Sequence, residues 1–326
     1  SPSLTIAVDT IVPAAPTCTT TPSPANDGTS VTTTCTGVET GATLSIPNMS
    51  CTPSPATASG TVTCTGTVGT GAGQIATSDD SVTIADPAGN RDTTETTGLV
   101  IDNAAPTAPA CTTAPSPAND GTAVITTCTG VETGATVTIP NMVCAAESGN
   151  EVVCTGTVGT GVGEITASND TVTTTDVAGN TNTGETTGLV VDNTAPANPA
   201  VGPDLQAGSD TGTSSTDNVT GDNTPTFDVS CTEAGSTITL YSDNPAANTV
   251  IGTHTCAGVG TEAVTVSPTI ADGTHNVSYT ETDVAGNQSA NSSTLIVVID
   301  TTVPVNPIIV TPTSGQPIIG TGEVGA

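Results

Sequence analysis

Apolar and polar residues alternate along most of this chain. In "TSVTTTCTG" (29–37), "AVITTCTG" (123–130) and "TPTFDVSCTE" (224–233), Val, Ile, Phe and Cys share the line with Thr, Ser and Asp at a period near two. That is the pattern of half-buried strands. Asp-Gly, Asn-Pro and Thr-Gly steps break the runs as turns, and no stretch carries a helical period. Short strands spaced 8 to 12 residues apart, about seven per repeat, predict an all-β chain of antiparallel sandwiches of immunoglobulin type. The abundant Thr suits the pleated, half-exposed surface such strands present.

The same text recurs. "PSPANDGT" and "CTGVETGAT" each occur twice, within near copies at about 14–49 and 108–142. "D-x-A-G-N" stands at 86–90, 176–180 and 283–287, and each copy is followed 16 or 17 positions later by an aspartate. The linker aspartates Asp9, Asp102, Asp192 and Asp300 are 93, 90 and 108 residues apart, the length of one small β domain rather than of a solenoid coil. Residues 10–102, 103–192 and 193–300 are therefore expected to be three repeats arranged end to end. Residues 1–9, with "LTIAV" matching "GLVI" and "LIVVI", are expected to be the last strand of a preceding one. Residues 301–326 are expected to open a following one, which makes the chain a window on a longer array.

Charge narrows the function. The 326 residues hold 31 Asp and Glu against one basic residue, Arg91, for a net charge of -30. Phosphate-binding surfaces are thereby excluded, and with them nucleic acid and anionic membrane as partners. No window approaches the eighteen apolar residues of a membrane-spanning helix. Unpaired carboxylates repel one another unless a cation offsets them, which points to a bound metal. The absence of lysine excludes a lysine isopeptide crosslink.

Ten cysteines without C-x-x-C clusters, and with only His254 and His275 for company, predict disulfides rather than zinc, and so an extracellular setting. Repeats one and two hold four cysteines each and no aromatic. The third holds two cysteines and all three aromatics, Phe227, Tyr241 and Tyr279. Crosslinks stand in for bulk, since a disulfide closing a loop of roughly 30 residues contributes about 3–4 kcal/mol and one aromatic buries about 150–250 Å². Four cysteines allow three pairings. Aligning Cys231 with Cys35 and Cys128, and Cys256 with Cys64 and Cys154, predicts Cys35–Cys64, Cys128–Cys154 and Cys231–Cys256, leaving Cys18–Cys51 and Cys111–Cys144.

The third repeat's "SDTGTSSTDNVTGDNTPTF", "IADGTHNVSYTETDVAGNQSA" and "VVIDTTVP" resemble the bacterial immunoglobulin-like repeats of giant secreted surface adhesins, the extenders of biofilm-associated and repeats-in-toxin adhesins. The resemblance covers 193–300 closely and extends to the first two repeats through D-x-A-G-N and the linker aspartates. It implies stiff spacers stacked end to end and rigidified by calcium at their junctions. Calcium takes six to eight oxygen ligands, which the turn aspartates Asp86, Asp176 and Asp283 and the linker aspartates Asp102, Asp192 and Asp300 are placed to offer. Asp210, Asp217 and Asp222 add acidity, expected at the junction into the third repeat. The residues of D-x-A-G-N equally suit a turn that spends its Asp on its own backbone and its Gly on positive φ.

Other chemistry finds little footing. No nucleophile has a histidine partner by motif, so the chain reads as no enzyme. Asp79 and Asp80 read as a solvated loop, and His254 and His275 as surface residues. The expected function is the shaft of a bacterial cell-surface adhesin or fibre, with neighbouring repeats of the same chain as partners. Two other readings compete with it. One is a filament subunit that joins identical chains by strand complementation. The other is a carbohydrate- or protein-binding module, which exposed aromatic platforms would favour; the three aromatics here fall at core-like positions.

Overall fold

A computed structural model describes residues 7–58, 60–77, 80–166, 170–243 and 248–305, with two further strands at 308–310 and 319–321. Most of "LTIAV" and Asp79 lie outside the described residues. Among the described residues every regular element is a strand, and no helix is long and apolar enough to cross a membrane. The chain divides into two compact units. Ser1–Pro115 and Gly121–Leu189 make the first, and Ser116–Asp120 with Val190–Ala326 make the second.

The first unit contains two sheets of the same design. Strands β1 (Thr17–Thr21), β2 (Ser30–Thr36), β3 (Thr43–Ser45), β4 (Ser50–Thr52), β5 (Thr61–Thr67), β6 (Ser81–Ala85) and β7 (Arg91–Thr97) run in the order β3-β6-β7-β1-β2-β5-β4. Every pairing is antiparallel except β1 with β7, where Cys18 lies opposite Thr96 in a parallel bridge. Strands β8 (Ala110–Ala114), β9 (Ala123–Thr129), β10 (Thr136–Thr138), β11 (Val143–Cys144), β12 (Glu151–Thr157), β13 (Thr171–Thr175) and β14 (Thr181–Thr187) repeat the order as β10-β13-β14-β8-β9-β12-β11. The alternation is visible as burial: in β2, Val31, Thr33 and Cys35 are buried while Ser30, Thr34 and Thr36 face solvent. Leu44, Val82 and Ile84 from one wing pack with Cys18, Cys35, Val62 and Cys64 from the other, so each sheet closes over its core as a sandwich. Threonines at inward positions satisfy one another, as in Thr20 Oγ1 with Thr33 Oγ1 and Thr113 Oγ1 with Thr126 Oγ1, each 2.7 Å apart. A buried hydroxyl costs least on that condition, which Thr174 Oγ1, buried without a partner, does not meet.

The third repeat, within the second unit, is a sandwich of two separate sheets. Strands β15 (Asp204–Leu205), β17 (Thr226–Cys231) and β20 (Gly260–Thr265) form one. Strands β16 (Val219–Thr220), β18 (Thr237–Ser242), β19 (Thr249–Thr255), β21 (Gly273–Thr282) and β22 (Leu295–Ile299) form the other, in the order β16-β22-β21-β18-β19. Phe227 and Tyr279, both 0% exposed, lie in a core shared with Ile238, Leu240, Val264 and Val297. Beyond it, β23 (Ile308–Val310) pairs with β24 (Ile319–Thr321) in antiparallel register.

Four expected disulfides are corrected by the register. The bonds are Cys18–Cys35, Cys51–Cys64, Cys111–Cys128 and Cys144–Cys154, in place of Cys18–Cys51, Cys35–Cys64, Cys111–Cys144 and Cys128–Cys154. Each bonded pair is directly opposed on neighbouring strands. Cys35 instead faces Val62, and Cys64 is two residues further along the strand, a diagonal of about 7–8 Å that a disulfide does not span. Cys18 and Cys51 lie on β1 and β4, three strand spacings or roughly 14 Å apart. In the third repeat Cys231–Cys256 joins the end of β17 to the residue after β19, and so links one sheet to the other.

Two surface-or-core expectations also change. His275 is fully buried, with Nδ1 2.9 Å from Ser242 Oγ and Nε2 2.8 Å from the Ala271 carbonyl. Those partners explain why an imidazole is accepted there. Tyr241 is outside the core, half-buried at the surface.

Candidate functional site

D-x-A-G-N is a turn that saturates its own aspartate. Asp86 Oδ1 accepts from the backbone N–H of Gly89 at 2.7 Å and of Asn90 at 2.9 Å, and Oδ2 accepts from Asn90 Nδ2 at 2.8 Å. Asp176 and Asp283 receive the matching bonds from Asn180 and Asn287. The glycine of the turn has φ of +97° in the first copy, a conformation costly for residues with a Cβ. The side-chain bond from Asn90, with the backbone donors behind it, holds the Asp86 carboxyl below the ordinary aspartate range.

The asparagine then reaches across to the linker. Its second amide hydrogen goes to the carbonyl of the preceding linker aspartate: Asn90 to Asp9 at 3.2 Å, Asn180 to Asp102 at 2.9 Å, Asn287 to Asp192 at 2.8 Å. Its oxygen accepts from the "PAND" loop of the preceding repeat, from Asn26 onto Asn180 and from Asn119 onto Asn287, both at 3.2 Å. That loop is itself fixed to the linker. Ala25 bridges Ile101, and Asp27 and Asn103 exchange two bonds, N–H to Oδ1 at 2.7 Å and Nδ2 to Oδ1 at 3.0 Å. Ala118, Val191, Asp120 and Asn193 reproduce the arrangement in the second unit. One asparagine thus ties together turn, linker and "PAND" loop, once within each unit.

The linker aspartates contribute mainly their backbone. Asp102, Asp192 and Asp300 each turn Oδ1 onto the N–H two residues ahead, at 2.9, 2.9 and 3.0 Å. Thus Asp102 comes together with Asp176, and Asp192 with Asp283, through an amide.

Asp210, Asp217 and Asp222 are placed differently from the expectation. Their loop lies at the exit of the third repeat, because β16 pairs in parallel with β22 and the Asp300 N–H bonds the Thr220 carbonyl at 2.9 Å. The junction into the third repeat, at Asp192, does not contain it. Asp217 and Asp222 accept from the N–H groups of Val219 and Thr224. Asp210 is 4% exposed; Oδ2 accepts from the Asn218 N–H at 3.2 Å, and Oδ1 has no partner. An orphaned buried carboxylate oxygen is costly, and Asp204 and Asp228 line the same groove. At the other end Glu233, unmarked by any motif, has its carboxyl pushed up by burial and by the charges of Asp283, Glu281 and Asp192. Among the described residues no three His, Cys, Asp or Glu side chains gather as a metal-binding group.

Residues 196–301 match the family model of the bacterial Ig-like domain. No curated protein matches the chain. Among solved structures, the chain is similar to a Ca2+-stabilized adhesin that helps an Antarctic bacterium reach out and bind ice, at 20% identity over 91% of this chain and 76% of that one, with a TM-score of 0.38. It is also similar to a 1.5-MDa bacterial ice-binding adhesin (19% identity, 87% and 96% covered, TM-score 0.28). A third similarity is to a tetra-tandem repeat in the extending region of a large adhesion protein (21% identity, 91% and 77% covered, TM-score 0.24).

Proposed function

Residues 196–301 being a bacterial Ig-like domain, we propose that the whole chain is a run of such domains, bounded near Asp102, Asp192 and Asp300, that serves as the extended shaft of a bacterial cell-surface adhesin. The observation that carries this reading is the repeated clamp of Asn180 and Asn287. A hinge meant to flex has no use for three converging hydrogen bonds built the same way twice. The shaft performs no catalysis; its work is to hold a binding region away from the cell. Small-angle scattering of the chain tests it: an elongated, stiff particle is expected, and a compact one sinks the reading. Asn180→Ala removes three hydrogen bonds, together worth about 2–3 kcal/mol of junction stability, so the scattering of that variant should show a broadened distribution of interdomain distances.

Calcium belongs to the same reading as a stiffening cofactor. Its support is the unpaired oxygen of Asp210 and the mutual repulsion of Glu233, Asp283 and Asp192, which no lysine or arginine offsets. A divalent ion would supply the missing positive charge at those carboxylates. The oxygens of all three turn aspartates, Asp86, Asp176 and Asp283, are filled by donors of their own turns, so Asp283 supports the reading through its charge alone. Calorimetric titration of the chain with calcium should give saturable heat that Asp210→Asn diminishes. Equal heats from the variant and the parent would remove Asp210 from the site.

A further inference from the structure

Tyr241 is the one aromatic residue of the chain that reaches the surface, since Phe227 and Tyr279 are fully buried. It lines a groove of about 330 Å³ on the β18–β21 side of the third repeat, with Asp243, Asn276, Ser278, Asn291 and Thr294. That volume is at the small end of the usual range of 300–1,000 Å³ for ligand sites. The lining has a particular chemistry. Asp243 and Asn276 are locked together, Oδ1 accepting the Asn276 N–H at 2.8 Å and Oδ2 its Nδ2 at 2.5 Å. The pair presents planar acceptors and donors in fixed positions, and Asn291 adds an exposed amide that offers both. The bond from the Asn276 side chain holds the Asp243 carboxyl below its ordinary range, so it stays an acceptor at neutral pH.

We infer that this groove is a binding site for a neutral saccharide, one hexose unit seated against Tyr241 and hydrogen-bonded by Asn276, Asn291 and Asp243. The match is chemical. A pyranose has apolar C–H faces, which suit an aromatic ring, and a rim of hydroxyls, which suit carboxylate and amide groups that both donate and accept. Anionic sugars are excluded by the absence of any lysine or arginine in this repeat. A site of this size, open at the surface, takes a short segment of a glycan chain. The inference goes beyond the shaft: a rod stays rigid with or without it, and either reading stands if the other fails.

The test titrates the intact 326-residue chain with the methyl glycosides of glucose, galactose, mannose and N-acetylglucosamine and with their disaccharides, and with sialyllactose as the anionic control. Amide chemical shifts and tyrosine emission are followed. Saturable shifts at Tyr241 and at the side-chain amides of Asn276 and Asn291 are expected from at least one neutral sugar. Tyr241→Ala should weaken binding about tenfold, or 1.4 kcal/mol, while Tyr241→Phe keeps the ring and most of the affinity. Asn291→Ala, at an exposed position, covers the case in which Tyr241→Ala does not fold. No saturable shift from any neutral sugar overturns the inference. So does binding that persists undiminished in folded Tyr241→Ala and Asn291→Ala.

Discussion

Reduction of the native chain unfolds the first two repeats while the third remains folded. Each of the first two carries two disulfides, closing sequence separations of 17 and 13 residues in one and 17 and 10 in the other. Restricting the unfolded chain over loops of those lengths contributes about 3 kcal/mol apiece, so reduction removes about 6 kcal/mol from a repeat. Domain stability is typically 5–15 kcal/mol, and neither repeat has an aromatic side chain to fall back on. The third repeat loses about 3–4 kcal/mol with its single bond of separation 25, and keeps Phe227 and Tyr279 in its core. Both tyrosines of the chain are in the third repeat, which makes their emission a private reporter. With increasing dithiothreitol the far-ultraviolet dichroism should fall while the tyrosine signal holds. Loss of the tyrosine signal first would contradict the ordering.

Replacing Glu281 has the next largest effect, and it falls on the third repeat alone. The side chain is 0% exposed and has no cation beside it. Its charge is held by donors: the Thr232 N–H at 2.9 Å, the Thr232 hydroxyl at 2.8 Å, the Glu233 N–H at 2.9 Å and Ser236 Oγ at 2.5 Å. Glu281→Ala leaves two backbone N–H groups without their acceptor, and bonds to a charged acceptor are worth about 1.5–3 kcal/mol each. A loss of about 4 kcal/mol is expected, read as a fall in the melting temperature followed by tyrosine emission. Glu281→Gln keeps one acceptor oxygen and should lose about half as much. A variant melting within a degree or two of the parent would show that water replaces the carboxylate at no cost.

How much of this was legible in the sequence depends on how local each cause is. The strands follow from alternation, and D-x-A-G-N shows itself as a turn because Asp, Gly and Asn act within five residues. The disulfide partners were hidden, because pairing Cys18 with Cys35 rather than Cys51 depends on strand order and register, which no local pattern states. The Asp210 loop was misplaced for the same reason: its position beside Asp300 comes from a parallel pairing between residues 219 and 298. His275 carries no sequence sign of its Ser242 and Ala271 partners. The clamp was half visible. "PSPANDGT" recurs almost as faithfully as D-x-A-G-N, and two motifs repeated in step are candidates to touch, yet only coordinates show Asn26 meeting Asn180.

The placement of the crosslinks has a mechanical side. Tension applied to both ends of the first repeat would load β1 and β7 against each other, since the two pair in parallel at Cys18–Thr96 and Thr19–Thr97. If that contact shears, the strand can peel only as far as Cys18, where the load passes through sulfur to Cys35 and again from Cys51 to Cys64. The 17- and 13-residue spans behind those bonds never enter the line of tension. At about 3.5 Å per residue they withhold roughly 100 Å of slack, so a ruptured repeat lengthens the chain far less than its residue count suggests.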